Sequence, residues 1–164
     1  MGSEASSKAF LAQVSAHQNI VHKVSMVYGN AIEDREDLKQ EILLQLWKSW
    51  ASFDGRSAFS TWMYRVALNT AISFRRRKRR PPADPDISWQ HDVQYQDAAH
   101  AQDLKRLYQA ISGLSAVEKA IILLWLDERS YDEIADTLGT SVKNVSVRLV
   151  RIRSKLTRLI READ

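Results

Sequence analysis

The stretch Ser130–Leu156, SYDEIADTLGTSVKNVSVRLVRIRSKL, decides how the rest of the chain is read. Its apolar positions fall into two helical sets with one glycine between them. Ser130 and Glu133 have capping-box spacing, so a helix is expected from Tyr131, with Ile134, Ala135 and Leu138 on its inner face. Gly139 stands where the chain must leave that helix, in the left-handed conformation that glycine reaches most cheaply. Ser141 then caps a second helix. There Val142, Val145, Leu149, Ile152, Leu156 and Leu159 recur three and four residues apart as one buried stripe. Lys143, Asn144, Val147, Arg148, Arg151 and Lys155 face the other way.

A short turn of this kind fixes the second helix so that its first turns protrude. Small Ala135 lets the two helices approach, and Val145 locks their angle, which is the logic of a helix-turn-helix. A protruding helix fits the major groove, where asparagine and arginine read base edges and Val147 would meet a thymine methyl. The candidate groove contacts are Ser141, Lys143, Asn144, Ser146, Val147, Arg148 and Arg151. An ordinary helical hairpin with a charged outer face would share the stripe. The caps, the turn glycine and the cationic face together favour DNA binding.

The chain has 164 residues, room for one domain or two small ones. Hydrophobic residues make up 45% and there are five tryptophans, enough to build folded cores. Only five glycines and three prolines, with no long β-branched alternation, predict an all-α architecture. Cysteine is absent, which excludes disulfides and thiolate metal sites. The opening MGSEASSKAF lacks an apolar core behind a basic start, and no apolar run nears the ~20 residues of a membrane span. A cytoplasmic chain without membrane insertion is expected. The formal charge of +4 hides a segregation: acids crowd IEDREDLKQE and ADPD, bases crowd RRRKRR and the last helix. Each run alone is explained by a solvated helix face. Their separation points to a polyanion on one surface and a different partner on another.

Along the chain, periodicity predicts a first helix over Phe10–Tyr28, a second from about Asp37 to Phe53, and a third from Ser60 to about Arg80. Pro81-Pro82 stops the third. Residues 81–102 are rich in proline, acids and polar residues and predict a flexible linker between two small helical domains, 1–80 and 103–164. In the third helix Thr61, Arg65, Asn69 and Ser73 fall four apart, and the stripe continues to Arg76, Arg77 and Arg80. The arginine block would grip phosphates without reading sequence, leaving Asn69 as the better base contact. Trp62 and Tyr64 admit two readings, stacking on exposed bases or packing in the core. Trp47 and Trp50 are read as packing residues. His17, His22, His91 and His100 have no catalytic or ligand partners at a recognisable spacing, and no glycine-rich phosphate loop occurs. No enzyme, metal, cofactor or small-molecule substrate is expected.

Residues 36–80, EDLKQEILLQLWKSWASFDGRSAFSTWMYRVALNTAISFRRRKRR, resemble the core-binding and minus-ten-binding region of bacterial sigma factors of the extracytoplasmic-function (ECF) type. Residues 114–156 resemble the same family's minus-thirty-five-binding domain. The resemblance implies that Asp37, Leu38, Gln40, Glu41 and Leu44 dock on core RNA polymerase, through the coiled coil of its β′ subunit, with β a further contact. It implies that Ser60, Thr61, Trp62, Arg65, Asn69, Ser73, Arg76 and Arg77 capture the melted minus-ten strand, a flipped base lodging by the loop at Asp54–Ser60. The helix-turn-helix would bind the minus-thirty-five element of promoter DNA, and an anti-sigma factor becomes an expected partner. The competing reading, a repressor or activator binding DNA as a homodimer, explains the C-terminal half alone. An RNA-binding helical protein is supported only by the arginines.

Overall fold

The computed structural model describes residues 2–78 and 98–163. Eight α-helices and one 3-10 turn occur among the described residues, with no strand, as the glycine-poor composition predicts. They are α1 (Gly2–Ala16), α2 (Gln18–Tyr28), α3 (Ile32–Ser49) running into the 3-10 turn Trp50–Ser52, α4 (Phe59–Lys78), α5 (Ala98–Ser112), α6 (Ala116–Leu126), α7 (Tyr131–Leu138) and α8 (Val142–Glu162). Arg80 and His91 and most of the expected linker lie outside the described residues. The second helical unit begins at Ala98, inside the stretch assigned to the linker.

Two boundaries differ from expectation, each for a local reason. The single helix over Phe10–Tyr28 is two helices, broken at His17, whose backbone sits at φ −121°, ψ 22°. The His17 ring hydrogen-bonds the Gln13 carbonyl at 2.9 Å and packs 5.2 Å from Phe59. The break re-phases the apolar stripe, which otherwise jumps from Val14 to Ile20 out of helical register. α3 starts at Ile32, several residues early, because the acidic run is not all solvated: Asp34 and Arg35 are buried. Arg35 Nε donates to the Gly29 carbonyl at 3.3 Å. A Cβ on Gly29 would fall 2.6 Å from Arg35 Cγ and 2.9 Å from the Ser25 carbonyl oxygen, so this close approach requires glycine.

α2, α3 and α4 pack on one another around Val24, Leu38, Ile42, Leu46, Met63, Ala67 and Ala71, all buried. Each fully buried leucine there contributes about 2–3 kcal/mol. α1 is held to this unit by rings. Phe10 meets Trp47 and Trp50 edge-on at 5.1 and 5.5 Å, and Trp50 Nε1 donates to Ser6 Oγ at 2.9 Å. In the second unit α5, α6 and α7 each pack on α8. Ser115 and Glu118 form the full capping box that starts α6. At Ser130 only half of one forms: its hydroxyl accepts from the Glu133 N–H, while the Glu133 carboxylate lies 3.7 Å from Arg129.

The two units lie against each other, α2 on α5 and α6, α4 on α6 and α7, and their buried apolar residues form one cluster. Tyr28 Oη donates to the Ala116 carbonyl across this boundary at 2.6 Å. Lys119 is 4% exposed there, its ammonium 5.6 Å from the Tyr28 ring centre. No carboxylate pairs with it among the described residues. Burial first, then the charge of Arg75, push the Lys119 pKa down to about 8.

A lysine depressed in the packed state takes up its proton when the packing is lost, so stability rises with pH between about 8 and the ordinary value of 10.5. Tyr28 and Tyr64, whose phenols burial raises, oppose this only above pH 10. We expect Tm to climb from pH 8 to 10, and Lys119→Met to be more stable at neutral pH with that climb flattened. Thermal unfolding of the two proteins across the range checks it.

Candidate nucleic-acid interface

The helix-turn-helix forms as its residues dictate. Gly139 adopts φ 68°, ψ 39°, and the Thr140 N–H behind it donates to the Ala135 carbonyl at 2.9 Å. Ser141 Oγ accepts from the Asn144 N–H at 3.1 Å, starting α8. Val145, Leu149, Ile152 and Leu156 are buried, as are Ile134 and Ala135 opposite. Ser141, Lys143, Val147, Arg148 and Arg151 are exposed, and Asn144 and Ser146 are half-buried. Asn144 Nδ2 donates to Thr140 Oγ1 at 2.7 Å, and its Oδ1 accepts from Arg148 Nε at 3.3 Å. Thr140, absent from the sequence-based set, thus fixes the amide that orients Arg148. Its place one turn before Asn144 is the signal that could have found it. Lys155 is turned partly inward and pairs with Glu118 at 3.2 Å. Burial would raise the Glu118 carboxyl, but the Ser115 hydrogen bonds and Lys155 outweigh it and hold it below its ordinary range.

α4 divides its candidates. Asn69, Ser73, Arg76 and Arg77 are exposed along one side. Ser60 and Arg65 are half-buried and already bonded: Ser60 Oγ accepts from Arg129 Nη1 at 3.1 Å, and Arg65 Nη2 donates to the Asp136 carbonyl at 3.3 Å. Thr61 and Trp62 are not on the surface. Trp62 is 8% exposed, with Phe53 and Phe59 at 5.1 and 5.5 Å, so the packing reading holds for it here. Tyr64 is wholly buried as well. At Thr61 the reason is helical drift: positions four apart advance about 40° per step at 3.6 residues per turn, so a stripe beginning outward at Ser73 has turned inward there. Trp62, about three turns from Ser73, keeps its side and is covered by Phe53 and Phe59.

α3 brings a further correction. Leu38 has no exposed surface; it lines the core with Ile42 and Leu46 at four-residue spacing and cannot meet a partner. Asp37, Gln40 and Leu44 are exposed and Glu41 is half-buried, its carboxylate bonded to Arg77 of α4. The face instead gains Leu43 and Trp47, 40% and 49% exposed, of which Trp47 was read from the sequence as a packing residue. Gln40, Leu43, Leu44 and Trp47 share one side at helical spacing. The signal lay in the breadth of the apolar arc, which carries two stripes where a surface helix needs one. Leu38→Ala should cost about 2–5 kcal/mol in urea unfolding. Leu44→Ala should stay within about 0.5 kcal/mol of the unmodified chain.

Among the described residues no group of three or more His, Asp or Glu side chains gathers as a metal site, and no helix is long and apolar enough to cross a membrane. What remains is an all-α protein with a helix-turn-helix whose second helix exposes one polar side, a second polar and cationic helix face, and an apolar strip flanked by acids. Residues 13–81 match the family model for Sigma-70 region 2 and residues 104–156 the model for Sigma-70, region 4. The ECF RNA polymerase sigma-E factor of Haemophilus influenzae is 32% identical over 91% of this chain and 86% of its own. The ECF RNA polymerase sigma factor SigG of Mycobacterium tuberculosis is 34% identical over 77% of this chain, which spans only 42% of that relative. The sigma factor RpoE of Bartonella quintana, solved in complex with the anti-sigma factor NepR, superposes with a TM-score of 0.75 at 24% identity, over 94% of this chain and 98% of its own. The chain belongs to the ECF sigma factors of bacterial RNA polymerase.

Proposed function

We propose that this sigma factor directs core RNA polymerase to promoters through three surfaces with separate tasks. The exposed reading helix of the helix-turn-helix carries the proposal: it is capped, angled and unobstructed, and its Lys143, Asn144, Ser146, Val147, Arg148 and Arg151 would read the minus-thirty-five element in the major groove. On α4, Asn69 and Ser73 would meet the melted minus-ten strand, while Arg76 and Arg77 hold its phosphates. Asp37, Gln40, Glu41 and Leu44, extended by Leu43 and Trp47, would dock on the β′ coiled coil. An apolar centre with an acidic edge suits a partner of complementary charge.

The domains would be 1–80 and the unit that opens with α5 at Ala98, with the stretch between them passing through the polymerase between the two elements. The protein would act in the cytoplasm as an initiation factor rather than as an enzyme. The NepR complex of the Bartonella quintana relative supports an anti-sigma factor as a further partner here. A homodimeric repressor is not favoured, because it gives the region 2 match no task.

Run-off transcription with purified core polymerase and mapped start sites tests the reading; no specific start from any genomic fragment would overturn it. Arg148→Ala should weaken promoter recognition by about 1–3 kcal/mol and relax preference at one minus-thirty-five position, and a uniform loss across sequences would mark a phosphate contact. Asn69→Ala should slow promoter opening, measured by permanganate footprinting, with polymerase affinity intact.

A further inference from the structure

One chain of hydrogen bonds runs from the turn before α8 into the helix itself. Asn144 Nδ2 donates to Thr140 Oγ1 at 2.7 Å, and Arg148 Nε donates to Asn144 Oδ1 at 3.3 Å. Asn144 and Arg148 stand four apart on α8, so their side chains meet along one side of it. Thr140 lies ahead of the Ser141 cap and is brought to Asn144 by the Gly139 turn. The backbone of both is fixed: the Thr140 N–H donates to the Ala135 carbonyl at 2.9 Å, and the Asn144 N–H to Ser141 Oγ at 3.1 Å. The amide between hydroxyl and guanidinium has one possible orientation. An arginine nitrogen only donates, so Oδ1 must face Arg148, which leaves Nδ2 to face Thr140.

Each of these bonds removes a choice from the groove contact. An asparagine that reads adenine uses both ends of its amide together, and here both ends are engaged along the helix. Thr140 and Asn144 are half-buried, whereas Arg148 is exposed. With Nε held, the guanidinium keeps its two Nη groups for a partner, and they donate side by side at the tip of the side chain. Two parallel donors fit two neighbouring acceptors. In the major groove guanine alone offers that pair, N7 and O6, on one base. Adenine sets a donor beside its N7, cytosine presents a donor, and thymine presents one acceptor with a methyl group.

We propose that Arg148 reads a guanine of the minus-thirty-five element end-on, and that Thr140 and Asn144 are positioning residues that hold its guanidinium and touch no base. The proposal rests on reading α8 as the groove helix and narrows it at Asn144, which serves recognition through Arg148. A free arginine surrenders its rotamer freedom when it reaches a base. Here the relay from Thr140 takes part of that loss on folding, before DNA arrives.

The test uses holoenzyme assembled from core polymerase and the full chain, on a genomic fragment from which it starts transcripts. Each base pair of the minus-thirty-five element is replaced in turn, and relative affinity is read by competition. We expect one position at which guanine is favoured roughly tenfold, a preference that Arg148→Ala abolishes. 7-Deazaguanine there, which lacks the N7 acceptor, should cost most of that preference; inosine, which keeps N7 and O6, should cost nothing. Thr140→Val keeps the shape of the side chain but not its acceptor. It and Asn144→Ala should each reduce the guanine preference roughly fivefold, about the worth of one hydrogen bond, with the other positions unchanged. Thr140→Ser retains the hydroxyl and should retain the preference, and thermal unfolding checks that every variant folds. A guanine preference unmoved by Thr140→Val, or a second position relaxed by Asn144→Ala, overturns the positioning roles. A favoured base other than guanine, or indifference to 7-deazaguanine, overturns the end-on contact. In each case the element as a whole still counts and the groove reading of α8 stands; indifference to every replaced base pair would sink that reading first.

Discussion

Two tyrosines tie this molecule together. Tyr28 and Tyr64 are buried in the N-terminal helices, yet each hydroxyl is satisfied from the other half, by the Ala116 carbonyl and by Asp127. A phenol with its ring in an apolar core must still place its O–H, since an unmet buried donor costs about 1–3 kcal/mol. The core of α2, α3 and α4 is therefore incomplete by itself in hydrogen-bonding terms. Either the C-terminal half or water must finish it, and the structure shows the first arrangement.

That dependence separates what the sequence made legible from what it did not. The helix-turn-helix could be read because everything that specifies it is local: Ser130, Gly139 and Ser141 act within a turn of themselves, and the α8 stripe repeats without interruption. The halves meet through pairs 63 to 104 residues apart in sequence, such as Tyr64 with Asp127 and Lys23 with Asp127, and no periodicity encodes these. Asp127 and Arg129 look like ordinary loop charges until the fold brings Lys23 and Ser60 to them. The same limit explains Leu38 and Trp62. Each lies in a segment that matches the family model, but resemblance assigns a segment and only packing decides which side of a helix faces out.

The three surfaces differ in how far the fold leaves them open. Lys143, Val147, Arg148 and Arg151 of α8 and the strip on α3 are exposed. The start of α4 is covered, and its later turns, at Asn69, Ser73 and Arg76, are not. Arg77 joins α4 to α3 through Glu41, so a partner that took Glu41 would release an arginine for phosphate.

The charges buried between the halves explain why such a contact can be specific without being permanent. The Asp127–Lys23 pair is only half-buried and is screened by solvent, so it fixes the arrangement more than it strengthens it. Lys119 goes further, since its ammonium is removed from water with, among the described residues, only an aromatic face in compensation. An apolar side chain at that position would pack the boundary at no such cost. The lysine weakens the closed form by its own desolvation, while Asp127 defines which closed form is adopted. A boundary made this way has one geometry and a shallow well, the combination a protein needs if the same two halves must later stand apart on a long stretch of DNA.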